Sequence, residues 1–483
     1  MNIFKKRTIK VFKNINVRKM EEDMEANLEV NVKRLAKEET QEENGEMELL
    51  YGVEDSPSFF ISSILGFQNV ITAFGGIVAV PLIIAGMAGF GVIDTAYLVS
   101  AALLVSGIVS IIQSKGVGPK AFRVGVGLPT IMGTDFAFIG PAAAVISTGG
   151  IAAYFGGTML ASLLEFGMSY FIKPLMKFFP PVVTGSVITL MGMTLMSVAM
   201  EWAAGGVGSA TYGAPINLGI TAFVFLIIAM VNHYAGKKFA PLSVLIGAII
   251  GYIVCIPLGM VDFQQVSNAS WFALPQFFKY GISFKWEYAL PFLTGYLVTI
   301  IESVGVIQTL GQVTKTEVKN EDIAAGVRAD AVGSWIGPVL GSGPAATFSQ
   351  NAGLIPMTRN ASRKVAIAAG YIMILMSLFP KFATFVSIMP MPVLGGAGLL
   401  MFGNVAAAGI QSLSRVKFTN RNMIIVAGSL AVGLGVSFRP EVTASLPGIL
   451  GGLFSSGISA GTIVALVLNI ALKEKEIVEE SIA

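Results

Sequence analysis

Glu302 lies in the run FLTGYLVTIIESVGVIQTL, whose neighbours within a helical turn are all apolar or small. A carboxylate in the middle of a membrane-length helix costs roughly 2.5–3.5 kcal/mol on insertion scales, so it is expected to face a polar cavity and there bind a solute or carry a proton. Asp330 in GVRADAVGSWIG and Asp135 in MGTDFAF are further acidic groups in apolar surroundings. The stretch GSGPAATFSQNAGLIPMTRNASRK, 341 to 364, adds Ser349, Gln350, Asn351, Thr358 and Arg359 among the helix breakers Gly343, Pro344, Gly353 and Pro356. Backbone N–H and C=O groups at membrane depth need partners, so broken, polar backbone survives there only where it is buried in protein or lines a cavity. Together these residue types support hydrogen-bonded binding of a small polar solute.

The elements that must position them are membrane helices. The chain has 483 residues, of which 54% are hydrophobic and 13% charged, with a mean hydropathy of +0.73, a composition that excludes an ordinary soluble domain. One Cys and one His exclude an internal disulfide and the usual Cys/His metal sites; no metal or cofactor is expected. A net charge of +3 is too small to imply a nucleic-acid partner. Apolar runs near the roughly 20 residues that a spanning helix needs place fourteen spans at 59–85, 93–113, 124–147, 151–172, 182–200, 215–234, 240–260, 288–312, 321–341, 343–362, 364–380, 384–405, 422–438 and 447–472. The first 57 residues, basic and then acidic, read as a cytoplasmic tail that is solvated or touches anionic lipid. Residues 473–483 form a second tail.

Basic residues test the count, because short cytoplasmic loops hold an excess of Lys and Arg. With the first tail inside, alternate loops carry Lys115, Lys120 and Arg123; Lys173 and Lys177; Lys237 and Lys238; Lys315 and Lys319; Arg359, Arg363 and Lys364; and Arg415, Lys417 and Arg421. The opposite loops hold only Lys279, Lys285, Lys381 and Arg439, which places both termini in the cytoplasm. The halves also echo each other: Pro129 and Pro344, and Pro141 and Pro356, recur at an offset of 215 residues beside the short polar stretches MGTD and FSQN. Seven spans followed by seven make an inverted repeat, and broken helices at corresponding positions point to a secondary transporter with its site near the midplane.

Gln350, Asn351, Gly353, Thr358 and Arg359 fit the pattern Q-N-x-G-x-x-x-x-T-[R/K/G], which resembles the motif of the nucleobase-ascorbate transporter family. The resemblance runs from about Tyr51 to the last span. It implies an all-α polytopic fold of two inverted seven-span repeats, with a short strand and half-helix in spans 3 and 10. It also implies a core domain (58–180 and 286–380), a gate domain (181–262 and 381–472) and a homodimer. By resemblance, Glu302 accepts hydrogen bonds from the substrate ring, Asp330 couples protons or ties mobile helices together, and Phe136 faces the substrate with its ring stacked on the base. The chain departs from the family at Asp135, where Ser is expected, and at Asn69, which follows Gln68 where the family has His. Asp135 is expected to alter coupling or substrate, or to meet a cytoplasmic-side partner. Asn69 and Gln68 are expected either at the substrate or as a helix–helix hydrogen-bond pair. For Asp330 the alternative is a structural partnership with Arg328 or a Ser.

A purine presents a flat π-face and an edge of C=O and N–H groups. Gln350 offers one donor and one acceptor in a plane, Glu302 accepts two N–H bonds, and the half-helix N-termini near Thr134 and Ser349 aim backbone N–H groups at carbonyls. The expected function is proton-coupled, elevator-like uptake of xanthine or uric acid across the plasma membrane, with membrane lipid as the surrounding partner. The alternative is a uracil–proton symporter of the same family, whose members of that type carry Glu at the position of Gln350. Asn351, Gly353, Thr358, Arg359 and Gln68 are expected to shape the site and its selectivity. An anion transporter of this fold is disfavoured by the few residues after the last span, a channel by the single site, and an enzyme by the missing catalytic clusters.

Overall fold

The computed structural model describes residues 49–119, 122–443, 445–446, 448–454 and 456–472. Most of the N-terminal tail and all of the C-terminal tail lie outside them. In chain order the main elements are α1 (Phe59–Met87), α2 (Val92–Lys115), β1 (Met132–Thr134), a 3-10 turn (Phe136–Phe138), α3 (Ile139–Ser169), α4 (Pro181–Ala203), α5 (Pro215–Tyr234) and α6 (Ser243–Cys255). The second half contains α7 (Trp286–Val313), α8 (Asn320–Leu340), β2 (Ala345–Thr347), α9 (Ser349–Ala352), α10 (Leu354–Thr358), α11 (Arg363–Ser377), α12 (Pro380–Ser387), α13 (Met391–Ser414), α14 (Asn420–Phe438), α15 (Gly448–Leu453) and α16 (Gly457–Ala471).

Eight described helices are long and apolar enough to cross a bilayer singly, and the α11–α12 pair, bent by 85°, makes a ninth candidate. The remaining crossings are assembled from shorter or more polar pieces. The helix α8 carries Asp322, Arg328 and Asp330, α6 and α16 are short, and two crossings are strand plus half-helix. Several boundaries need correction. The third span is not helical from 124: residues 125–131 form a bent loop, with Gly125 and Gly127 at positive φ, that leads into β1, and helix begins at the 3-10 turn. Spans three and four are two helices within α3 that meet in a kink at Gly150, where the sequence places their boundary, and the φ of 70° and ψ of −171° there suit only glycine. The twelfth starts at Met391 rather than 384, because Pro380 opens a separate short helix and Pro390 precedes α13; hydropathy alone cannot see those breaks.

β1 and β2 pair antiparallel, Met132 opposite Thr347, Gly133 opposite Ala346 and Thr134 opposite Ala345. Pairing at this point satisfies backbone that two broken helices leave open. The pattern continues past the strands, with Phe348 N–H donating to Ile131 O at 2.9 Å and Asp135 N–H to Pro344 O at 3.3 Å. The strands begin at Met132 and Ala345, an offset of 213 (345 − 132), not the 215 of the prolines; Pro141 and Pro356 therefore do not occupy equivalent places in the two halves. The close approach demands glycine at 133, where a Cβ would lie 2.4 Å from Phe348 Cζ and 2.9 Å from Ile77 Cγ1.

Packing is densest within two groups of helices. In one, α3 lies against α7 and α8, and α11 against α1 and α2. In the other, α13 runs along α4 and touches α5, while α14 packs on α16. Residues 51–56 of the predicted tail belong to the same body as the helices. There Tyr51 N–H donates to Arg359 O, Ala361 N–H to Tyr51 O at 2.8 Å, and Arg363 pairs with Glu54 at 2.5 Å, so this short segment straps the loop that follows α10.

Candidate functional site

Asp135 ends β1 and caps the helix that follows. Its Oδ1 accepts from Ala137 N–H at 2.9 Å, and its Oδ2 accepts from the Thr299 hydroxyl of α7 at 2.8 Å. A carboxylate suits this position because the first N–H groups of a helix lack intrahelical acceptors and attract negative charge. The half-helix therefore starts after Asp135, one residue later than the expectation centred on Thr134, and its N–H at Ala137 is already occupied. Thr134 is buried and donates to Ile77 O of α1 at 3.1 Å. Asp135 meets α7, not a cytoplasmic-side partner.

One helical turn beyond Thr299, about 4.5 Å along the axis, stands Glu302. It is half-buried, and its carboxylate receives no hydrogen bond from any described residue. Asp135 and Asp330 are near enough to act on it electrostatically. The helix α7 packs against α9, whose first residues, Ser349 and Gln350, are exposed. No side chain caps α9: its N-cap position is Phe348. Glu302, Ser349 and Gln350 thus stand on packed elements with polar groups open to a solute.

The ring of Phe136 is buried and packs edge-on against Phe402 of α13, with centroids 5.2 Å apart and planes at 83°. Stacking of that ring on a base requires Phe136 and Phe402 to part. Asn351 points away from Gln350, toward α1: its Nδ2 donates to Asn69 Oδ1 and to Asn69 O, both at 3.0 Å. Asn69 in turn donates to Leu65 O at 2.9 Å, so the residue in the histidine position is a helix–helix hydrogen-bond partner. The side chain of Gln68 is half-buried and its backbone carbonyl accepts from Thr72. Asn69, Asn351 and Thr358 line a narrow cleft. Thr358 donates to Leu354 O at 2.9 Å, and Arg359 ends α10 in the left-handed region at φ 53°. Gly353 separates α9 from α10 with φ −66°, and a Cβ there would meet only Gln350 O, at 3.5 Å.

Asp330 is fully buried on α8, and its Oδ1 accepts from the Thr347 hydroxyl at 2.9 Å. Arg328 is not its partner: the guanidinium donates to Arg123 O at 2.7 Å and lies over the Tyr170 ring. Residues on opposite sides of a helix point apart, and the groups at the Asp330 carboxylate are Thr347 of β2 and, close beside it, Ser303 of α7, in line with the expected Ser. Gln113 of α2 completes this support, donating to Thr347 Oγ1 at 2.9 Å and Gly326 O at 3.1 Å, and accepting from Val126 N–H. Gln113, Thr299 and Thr347 went unnoticed in the sequence. Gln113 carried a signal, as an amide near the end of an apolar helix; the two threonines did not, since Thr is common in membrane helices. A separate cavity of about 400 Å³, between α2 and the 265–279 connection, holds none of these groups.

The architecture is that of membrane transporters. The transmembrane domain of the cyanobacterial bicarbonate transporter BicA aligns with a TM-score of 0.57 at 15% identity, covering 82% of this chain and 100% of that one; at that identity the likeness concerns the fold alone. The pattern of the family described as "Permease family", labelled Xan_ur_permease, matches residues 60–442. The chain belongs to this nucleobase-ascorbate transporter family. CPE0397 of Clostridium perfringens, which carries the provisional name of a purine permease, is 47% identical over 431 residues, covering 89% of this chain and 94% of that one. The uric acid transporter UacT of Escherichia coli is 38% identical over 429 residues (87% and 88%). A xanthine permease of Bacillus subtilis is 38% identical over 426 (86% and 96%).

Proposed function

We propose that the protein imports a purine base, xanthine or uric acid, across the plasma membrane together with protons. One observation carries this reading: the Glu302 carboxylate is left without a hydrogen-bond donor on a helix packed against α9, where Gln350 is exposed. A carboxylate accepts two N–H groups from a purine edge, and an amide adds one donor and one acceptor. The names of the relatives point to the same substrates. In this reading Glu302 and Asp330 carry the coupling charge, Phe136 covers the face of the base, and Asn69, Asn351, Thr358 and Arg359 hold and tune the entry side. The α3–α7–α8–α11 group acts as the moving core and the α4–α5–α13–α14 group as the gate, in a homodimer with both termini in the cytoplasm.

The test is uptake of labelled xanthine by cells expressing the protein, with a protonophore or with choline in place of sodium. The reading expects accumulation that the protonophore abolishes and choline leaves intact. Sodium dependence that survives the protonophore contradicts proton coupling, and absent uptake of both xanthine and urate contradicts the substrate.

A further inference from the structure

The helix α3 carries Tyr154, Thr158, Ser162 and Glu165 at spacings of four, four and three, which places them on one face. All four are at most 1% exposed. The helix packs on α7 and α8, and Tyr296 of α7 donates its hydroxyl to Thr158 O at 2.9 Å. Neither oxygen of Glu165 has a hydrogen-bond partner, and the same holds for Asp330 Oδ2, the Tyr154 hydroxyl and the Ser303 hydroxyl. The titratable groups near Glu165 are Asp330 from α8, Asp135 from the turn before α3, and Tyr296 from α7, with Tyr154 on α3 itself near Tyr296. None of these is a cation. Arg328, two residues from Asp330, is held by Arg123 O and Tyr170.

A buried carboxylate with neither a hydrogen bond nor a counter-charge costs several kcal/mol, and a second carboxylate nearby adds repulsion. Such a group needs a cation, and a proton is the cation that a single oxygen can hold. Asp330 and Asp135 are near enough to both Glu165 and Glu302 to act on them electrostatically. Glu302 is half-buried, whereas Glu165 is fully enclosed. We propose that Glu165 is a proton-carrying carboxyl of the transport cycle, in a buried polar cluster between α3, α7 and α8 and apart from the exposed groups of α9. On loading, one O–H bond forms at Glu165; on release it breaks, and the proton leaves to water. This deepens the proton-coupled reading and rests on it.

The experiment uses purified full-length protein in phosphatidylethanolamine–phosphatidylglycerol liposomes, with labelled xanthine as probe. Glu165→Gln keeps shape and removes the titration. The expected result is exchange of labelled for unlabelled xanthine within about twofold of wild type, with accumulation driven by an imposed pH gradient lower by roughly tenfold or more and partly restored in Glu165→Asp. Gradient-driven accumulation equal to wild type overturns the proposal, as does an equal loss of both activities. Wild-type accumulation that ignores the gradient removes proton coupling, and the role of Glu165 with it. Should the Gln variant not fold, or xanthine not be the substrate, labelling of wild type by dicyclohexylcarbodiimide decides. That reagent attacks protonated carboxyls in apolar sites, so labelling of the Glu165 peptide that falls as pH rises supports a working proton site. Labelling that is absent, or the same at every pH, contradicts it.

Discussion

β1 leads through a short turn into a helix that runs to the kink at Gly150, while β2 leads into four residues of helix, a break at Gly353 and five more. The first crossing is capped by a carboxylate that is itself tied to Thr299; the second has Phe348 at its cap and exposes Ser349 and Gln350. The same strand-and-half-helix plan thus serves two ends. In the first crossing polar groups are paired inside the protein, which makes it a scaffold for α7. In the second Ser349 and Gln350 are left exposed, while Asn351 is tied to α1. Inverted repeats fix where the backbone breaks; the side chain at each helix start decides whether that break is filled or available.

The largest effect expected is on the group between the two crossings. Glu302→Gln should reduce uptake to background while the protein still reaches the membrane, since an amide neither accepts two N–H bonds nor takes a proton. Wild-type rates at equal surface level would remove Glu302 from the site. Next comes the filled crossing. Asp135→Ala loses a cap worth roughly 1 kcal/mol and the tie to the buried Thr299 hydroxyl, which keeps Gly295 O as an acceptor at 3.0 Å. Lower thermal stability and severalfold slower uptake are expected, whereas Asp135→Asn, also a good cap, should stay near wild type. Equal failure of the Asn and Ala variants, with stability intact in both, would make Asp135 a coupling group instead of a cap.

The two crossings were not equally legible in the sequence. Glu302 stands out because nothing near it in the chain is charged, and Gln350 to Arg359 stand out because polar and helix-breaking residues interrupt an apolar run. Asp135 was visible beside the broken helix that the resemblance implied, but that it caps the turn from 136 and meets Thr299 was not legible. Arg328 and Asp330 are neighbours in sequence, yet Thr347 and Arg123 O are their partners, contacts set by packing between α8, β2 and the loop before β1. Glu165 lay inside a predicted span unremarked; the spacing Tyr154, Thr158, Ser162, Glu165 was the available signal, since a polar stripe at helical period in an apolar helix marks a protein-facing side. The β1–β2 register had no local signal at all.

The smallest effect should come from the contact that ties the available crossing to α1. Asn69→Ala removes one side-chain acceptor from Asn351, and interhelical hydrogen bonds of this kind average about 0.6 kcal/mol in double-mutant cycles. A cycle of Asn69→Ala with Asn351→Ala, read by thermal unfolding in detergent, should give a coupling of that order. Independent, additive effects would mean that the pair does not support the crossing.

The most direct test of the central claim, that the open second crossing reads a purine edge, is a competition profile for labelled xanthine in wild type and Gln350→Glu at equal surface expression. Unlabelled xanthine, urate, uracil and ascorbate serve as competitors. The account predicts that xanthine and urate compete in wild type while uracil and ascorbate do not. In the variant, where a carboxylate offers acceptors only and repels anionic urate, xanthine and urate should weaken severalfold and uracil gain. Coincident profiles in the two proteins would contradict the account, because Gln350 would then not be reading the base.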